Sequence, residues 1–263
     1  MSATVTVIDR ARGIVPRAFD RSDQSAAVDP LHIAKLAQLQ DAARGRDAHG
    51  ILELALKGEF KGQSAVVSSF GAESAVLLHM VAMIDPATPI LFLNTGKLFG
   101  ETLRYRDRLQ DELGLGDIRS LAPNPADRLR VDPDGVLWSK DTDACCNLRK
   151  IIPLKRALEP FAAQITGRKR FQTRERAQMQ TVEFFEGRFR FNPLADWTLE
   201  QLEAYTKKHN LPRHPLVDDG YPSIGCMPCT RRVAAGEDYR AGRWADSDKE
   251  ECGIHIGVDG EGI

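Results

Sequence analysis

The amino-acid sequence predicts an α/β fold in which a mostly parallel sheet is flanked by helices. Apolar runs that are too short for helices alternate with longer segments whose apolar residues recur at helical spacing. The first of these runs end in polar segments that contain glycine, as turns do. This alternation is typical of parallel sheets covered on both faces. The 263 residues, 42% of them hydrophobic, are enough to bury the core that such a fold requires.

In chain order, we expect four strands, five helices and two tails. The strands are residues 65–67, 90–93, 118–121 and 163–166. The helices are residues 31–44, 51–57, 75–84, 101–113 and one that begins at Thr198, where Gln201 can reach back to cap it. We therefore divide the chain into an N-terminal tail at 1–30, an α/β domain at 31–243 and a mobile C-terminal tail at 244–263.

Three polar segments follow predicted strands, at residues 68–74, 94–96 and 167–170. Ligands of parallel sheets bind just beyond the carboxyl ends of the strands, so we expect these segments to meet at one site. In the first segment, backbone N–H groups and serine hydroxyls at a helix start would suit a phosphate or sulfate. The alternative is an ordinary strand–helix turn with serine caps.

The five cysteines are better explained by metal binding or catalysis than by disulfides. The N-terminus lacks the apolar region of a secretory signal, so we expect a cytoplasmic protein whose thiols stay reduced. Cys145 and Cys146 form one close pair and Cys226 and Cys229 another, and four thiolates in two pairs can hold zinc or an iron–sulfur centre. Cys252 lies apart on a polar tail, either as a nucleophile or as an idle surface thiol.

Basic residues recur after each of these segments. They include Arg168, Arg170, Arg240 and Arg243, and they suggest a polyanionic small molecule beside the cysteine site. A solvated basic face is the alternative for any one of them. The formal net charge of −1 argues against a nucleic-acid partner, and no apolar run approaches the ~20 residues of a membrane span.

Five motifs in a fixed order resemble the assimilatory sulfonucleotide reductases, which are the adenylyl-sulfate and phosphoadenylyl-sulfate reductases. They occupy residues 69–74, 94–102, 145–150, 221–231 and 251–255, and the resemblance extends over residues 64–256. Two positions depart from the usual family pattern. Gly100 stands where proline is usual, and Thr173 stands where serine is common but keeps the hydroxyl.

The resemblance implies a fold like that of the adenine-nucleotide alpha hydrolases and a [4Fe–4S] cluster bound by Cys145, Cys146, Cys226 and Cys229. It implies that Cys252 is the catalytic nucleophile, with Lys150 and His255 as further catalytic residues. Expected substrate contacts are Ser68, Ser69, Phe70, Gly71, Ser74, Asn94, Thr95, Gly96, Arg168, Arg170, Arg240 and Arg243.

The implied reaction is the thioredoxin-dependent reduction of adenylyl sulfate to sulfite and AMP, through a thiosulfonate on Cys252, in sulfate assimilation for cysteine biosynthesis. A thioredoxin or a glutaredoxin-like protein would be the reductant, and we expect a homo-oligomer. The 3′-phosphorylated nucleotide remains a second candidate substrate.

Two other functions compete with this one. An ATP pyrophosphatase would carry a loop resembling Ser-Gly-Gly-x-Asp-Ser, whereas residues 69–74 read Ser-Phe-Gly-Ala-Glu-Ser. A zinc-stabilised nucleic-acid module would explain four cysteines and many arginines. The adjacent cysteine pair and the near-neutral charge count against that module.

Overall fold

The computed structural model describes residues 29–245, 249 and 251–254. These residues form six strands and nine α-helices. The strands are β1 (Ser64–Ser68), β2 (Ile90–Leu93), β3 (Ile118–Leu121), β4 (Ala163–Thr166), β5 (Val182–Phe185) and β6 (Arg188–Phe191). The helices are α1 (Pro30–Ala43), α2 (Ala48–Leu56), α3 (Ser74–Ile84), α4 (Gly100–Leu113), α5 (Pro125–Val131), α6 (Leu137–Lys140), α7 (Thr142–Cys146), α8 (Ile152–Leu158) and α9 (Leu199–Lys208).

The strands form one sheet in the order β3-β2-β1-β4-β6-β5. All neighbours are parallel except β5 and β6, which pair antiparallel at one edge. The chain leaves β1 toward β2 and β3 and later returns to place β4 on the other side of β1. This reversal opens a crevice at the carboxyl ends of β1 and β4. The predicted fold class is confirmed.

Burial explains why the central strands could be read from the sequence. Every residue of β1, β2 and β4 is buried, as expected for parallel strands covered on both faces. The hairpin of β5 and β6 was not predicted, because charged residues interrupt its apolar positions. Its turn is Glu186-Gly187, both at positive φ, which matches the twist of a two-residue hairpin loop.

The five predicted helices correspond to α1, α2, α3, α4 and α9. Thr198 and Gln201 form the expected reciprocal cap of α9. The short helices α5 to α8 were not predicted, since none is long enough to show a strong apolar period. Side chains start two of them: Asn124 caps α5 and Asp141 caps α7.

The predicted N-terminal tail lies almost entirely outside the described residues, which begin at Asp29. Asp29 caps α1, and Pro30 occupies its first turn. Of the helices described here, none has the length and apolar character needed to cross a membrane.

Candidate active site

A cleft opens where β1 and β4 end, at the position expected for a ligand of this fold. It contains about 1130 Å³ of empty space, part of it open to solvent. Its walls come from the ends of β1 and β4, the start of α3, residues 222–226 and the described part of the C-terminal tail.

The loop between β1 and α3 forms one wall. Ser68, Ser69, Gly71 and Ser74 line the cleft, whereas the Phe70 side chain is fully buried and packs edge-on against Phe92, with ring centroids 5.1 Å apart. Phe70 has a φ of 51°, and its N–H donates to Ser68 Oγ at 3.1 Å. A core anchor of this kind holds the loop tightly, so the serines stay at the cleft surface.

The segment after β2 contributes one lining residue. Thr95 lines the cleft, and its Oγ1 lies 3.2 Å from Cys226 Sγ. Asn94 Oδ1 accepts from the Gly96 N–H at 3.3 Å, and Gly96 has a φ of 68°. Asn94 and Gly96 therefore turn the chain, and Thr95 is the residue of this segment that faces the cleft.

Arg168 lines the cleft but is held from behind by a buried polar network. Its Nη2 donates to Glu183 Oε2 at 2.6 Å and to Asn192 Oδ1 at 3.1 Å, and its Nε donates to Thr166 Oγ1 at 3.2 Å. Burial lowers the pKa of Arg168, while Glu183 opposes that shift. The charges of the unpredicted β5–β6 hairpin thus have a role, because they fix the orientation of a cleft-lining guanidinium.

The Arg170 side chain does not face the cleft. Its Nε donates to the Met179 carbonyl at 2.7 Å, and its guanidinium pairs with Asp196. It is not among the residues that line the cleft. Sequence alone did not separate it from Arg168, since both belong to one basic run.

A second network joins three segments at the base of the cleft. The Glu73 carboxylate accepts from Lys169 Nζ, from Gln172 Nε2 at 3.0 Å and from Tyr239 OH at 2.7 Å. Burial, followed by the Glu73 charge, raises the pKa of Tyr239. Gln172 and Tyr239 were not singled out from the sequence, where they look like ordinary loop residues.

Two predicted arginines, Arg240 and Arg243, also line the cleft. Burial lowers the pKa of Arg243, whose Cζ lies 4.4 Å from the centre of the buried Trp244 ring. Its guanidinium covers the α-carbon of Gly225, where a Cβ atom would come within 2.3 Å of Nη2. Only glycine allows this close approach.

The four paired cysteines line a second, smaller cavity beside the cleft, with about 310 Å³ of empty space, part of it open to solvent. Cys145 and Cys146 end α7, which leads into a π-helical turn at Asn147–Ile151. The 3₁₀ turn Met227–Cys229 carries the second pair, and an isolated bridge between Leu98 and Cys226 holds it in place. Among the described residues, no three His, Cys, Asp or Glu side chains are placed to hold a single metal ion.

Positive side chains surround this cysteine cavity. Lys97, Arg149 and Lys150 line it together with the thiols. Arg149 is buried, and its Nη2 donates to Asp132 Oδ2 at 2.6 Å while its Nη1 donates to the Thr95 carbonyl at 2.8 Å. Burial raises the pKa of Cys146 to about 11. Burial raises the pKa of Cys145 and of Cys229 as well.

Lys150 lines both cavities and so connects them. Burial alone would lower its pKa, but the negative charge of Cys252, Cys226 and Cys146 in their thiolate forms outweighs burial and raises it. Cys252 lines the cleft and is partly buried. His255 lies outside the described residues. The structure thus brings Lys150 and the nucleophile predicted from the sequence to one wall of the cleft.

Comparisons with known proteins identify the family to which the chain belongs. The profile of the family described as the phosphoadenosine phosphosulfate reductase domain matches residues 63–232. A curated protein of Mesorhizobium japonicum, named adenosine 5′-phosphosulfate reductase, is 51% identical over 206 residues, which cover 78% of this chain and 81% of that protein. A protein of the same name from Salinibacter ruber is 36% identical over 244 residues, covering 91% and 95%.

A solved structure shows the same fold. The crystal structure of phosphoadenylyl-sulfate (PAPS) reductase from Candida auris, in a phosphate complex, aligns with a TM-score of 0.63 at 22% identity. The alignment covers 75% of this chain and 96% of that one. At this identity the likeness concerns the fold alone. From the family profile and the two relatives together, the chain belongs to the phosphoadenosine phosphosulfate reductase family.

Proposed function

We propose that this enzyme reduces adenylyl sulfate to sulfite and AMP, with Cys252 as the nucleophile. The observation that carries the proposal is that Cys252 lines the same cleft as the serine loop after β1. A nucleotide bound in that cleft would place an anionic group near the thiol. The names of the relatives, adenosine 5′-phosphosulfate reductases, favour the same substrate.

The first step is a displacement at sulfur. The Cys252 thiolate attacks the sulfate sulfur, the bond from that sulfur to the phosphate oxygen breaks, and AMP leaves with the electron pair. The product is a thiosulfonate on Cys252. Lys150 and Arg243 are the cations beside this position, and they would stabilise the thiolate and the charge on the leaving phosphate.

The second step requires a dithiol, such as that of a thioredoxin or glutaredoxin-like protein. One of its thiolates attacks Cys252 Sγ and expels sulfite, which takes the electron pair of the sulfur–sulfur bond. The second thiol resolves the mixed disulfide and returns Cys252 to the thiol. The two electrons thus come from the dithiol. A reducing compartment such as the cytoplasm suits this step, and a homo-oligomer is the default assembly.

The cysteine cavity fits a [4Fe–4S] cluster by its donor set. Four thiols and three cations line it, which suits thiolate ligands carrying a net negative charge. Cys145, Cys146, Cys226 and Cys229 would hold the group, and its chemistry there would be to supply a fixed charge beside the cleft. Broad absorbance near ~400 nm would support a cluster over zinc, which is colourless.

Replacement of the nucleophile tests the reaction. The Cys252→Ser variant, incubated with adenylyl [³⁵S]sulfate, should neither bind label nor release sulfite. Retention of both activities would show that Cys252 is not the nucleophile. A parallel assay with the 3′-phosphorylated nucleotide tests the substrate, because we expect turnover to be faster with adenylyl sulfate. Release of pyrophosphate from ATP would instead favour an ATP pyrophosphatase.

A further inference from the structure

Glu251, the residue before Cys252, is buried in the body of the protein. Its side chain is 3% exposed, and it meets Arg176 in a two-point contact. Arg176 Nη2 donates to Oε2 at 2.7 Å, and Nε lies 2.5 Å from Oε1. The Thr173 hydroxyl adds a third contact, donating to Oε1 at 3.2 Å. A surface glutamate on a free tail would make none of these contacts.

The residues after Cys252 also contact the body. Gly253 has a φ of 83°, and a Cβ atom there would lie 2.9 Å from Ile151 Cδ1. Ile254 packs against the small apolar cluster that contains Leu93 and Leu154. Contacts therefore flank Cys252 on both sides, and the cysteine enters the cleft between them.

The energetics of a buried ion pair suit a segment that must both dock and leave. Desolvation of the two charges offsets much of their attraction, so an intact pair adds little net stability. Loss of one partner is costly, because the other is then buried without compensation. Such a pair specifies where the tail sits without holding it there permanently.

We propose that Glu251 is a positioning residue whose contacts with Arg176 and Thr173 hold the tail against the body so that Cys252 faces the cleft. We call this set of contacts the latch. This inference rests on the proposed function. In that function, Cys252 attacks the nucleotide while the tail is docked on the body and reacts with a dithiol when the tail is released. The latch favours the first step and must open for the second. Because Arg176 also lines the cleft, the cation that receives Glu251 belongs to the wall that would contact the nucleotide.

The test measures how often Cys252 becomes accessible in the enzyme without nucleotide. Iodoacetamide alkylation of Cys252 is followed by mass spectrometry across a range of pH, which separates the thiol pKa from the limiting rate of the thiolate. We expect Glu251→Gln to raise the limiting rate about tenfold, a change that corresponds to ~1.4 kcal/mol. Gly253→Ala should act in the same direction without altering any charge, because its φ is unfavourable for alanine.

Glu250→Gln is the matched control, since it removes the same charge at the neighbouring position. If Glu251 acts only through its charge, both variants should shift the pKa of the Cys252 thiol equally and leave the limiting alkylation rate unchanged. That result would overturn the latch.

A second experiment measures the two half-reactions separately. Glu251→Gln should slow labelling of Cys252 by adenylyl [³⁵S]sulfate about tenfold, or ~1.4 kcal/mol, without slowing sulfite release by dithiol from labelled enzyme.

The two proposals fail separately. If Cys252→Ser still forms sulfite but Glu251→Gln raises the alkylation rate, the nucleophile is wrong and the latch stands. If Cys252→Ser is inactive and Glu251→Gln leaves the limiting rate at the wild-type value, the latch is wrong and the nucleophile stands.

Discussion

The cleft and the cysteine cavity are built in different ways, although they share Lys150 and Cys226. The cleft opens at the ends of two fully buried strands, which the parallel ladder of the sheet fixes in place. The cysteine cavity is enclosed by a five-residue helix, a π-helical turn and a 3₁₀ turn, joined to the body by isolated bridges. The sheet therefore determines the shape of the cleft, whereas the shape of the cysteine cavity depends on short turns and isolated bridges.

The largest effect should come from removing one thiol that both cavities share. Cys226→Ser should abolish absorbance near ~400 nm and lower turnover by more than about 100-fold. Mutation of residues that only support metal ligands already costs about 10–100-fold in metal affinity or activity. AMP binding, measured by calorimetry, should change little because the sheet forms the cleft. Loss of AMP binding together with the absorbance would show that the two cavities form one structural unit.

We expect Glu73→Gln to disrupt the cleft and to leave the cysteine cavity intact. It removes the carboxylate that compensates Lys169, whose side chain is 4% exposed. We expect the free energy of unfolding to fall by about 3 kcal/mol, as when one partner of a buried ion pair is lost. Urea unfolding measures this change. Glu101→Gln, which removes a surface pair with Arg104, is the control and should cost less than ~0.5 kcal/mol.

Gly225→Ala tests the junction between the two cavities. The added methyl group would displace the Arg243 guanidinium, which approaches the Gly225 α-carbon. We expect a roughly tenfold loss of kcat/KM, or ~1.4 kcal/mol, with little change in unfolding free energy. Gly100→Ala is the matched control, because its Cβ would lie 3.3 Å from the exposed guanidinium of Arg104, which can move. Equal losses in both variants would refute a specific role for the Gly225–Arg243 contact.

The smallest effect is a pH dependence that originates in the body, away from both cavities. Burial lowers the pKa of His214 to about 4, and its ring nitrogens contact Thr102 Oγ1 and the Leu216 N–H. The unfolded chain therefore binds the proton more readily between about pH 6.5 and pH 4. The stability that this group contributes is complete well above pH 6.5 and falls as the pH drops toward 4; between pH 7 and pH 6 the free energy of unfolding should fall by only ~0.7 kcal/mol. Denaturant unfolding of the His214→Gln variant should lose this part of the dependence; an unchanged slope would refute it.

The sequence predicted the central strands, whose burial is uniform, and missed the β5–β6 hairpin, whose burial is mixed. The central strands contain short apolar runs, such as residues 65–67 and 90–93, because both of their faces are covered. The β5–β6 hairpin contains Glu183 and Arg190, which normally indicate solvent exposure; both are buried here because their charges meet that of Arg168, which follows β4. Such pairing between distant segments leaves no local pattern.

Pairing between distant segments also limited how much of the candidate site could be predicted from the sequence. The paired cysteines and the serine loop could be recognised because each is a compact motif. The contacts of Glu73 with Tyr239 and of Arg176 with Glu251 join residues far apart in the chain, and each residue taken alone resembles a surface position. The predicted mobility of the tail at 244–263 stays a prediction, although Trp244 and Glu251 are buried in the closed arrangement described here.

The order of the strands has a consequence for biosynthesis. The central strand β1 is made first, but its partner β4 is translated only after the first cysteine pair has been added to the chain. The second pair emerges later still, at residues 226 and 229. A ribosome-bound chain therefore carries an unpaired edge of β1 until β4 has been made, and afterwards the first two thiols without their partners, states that are prone to aggregation. Any group that requires all four thiols can be inserted only after residue 229 has been added.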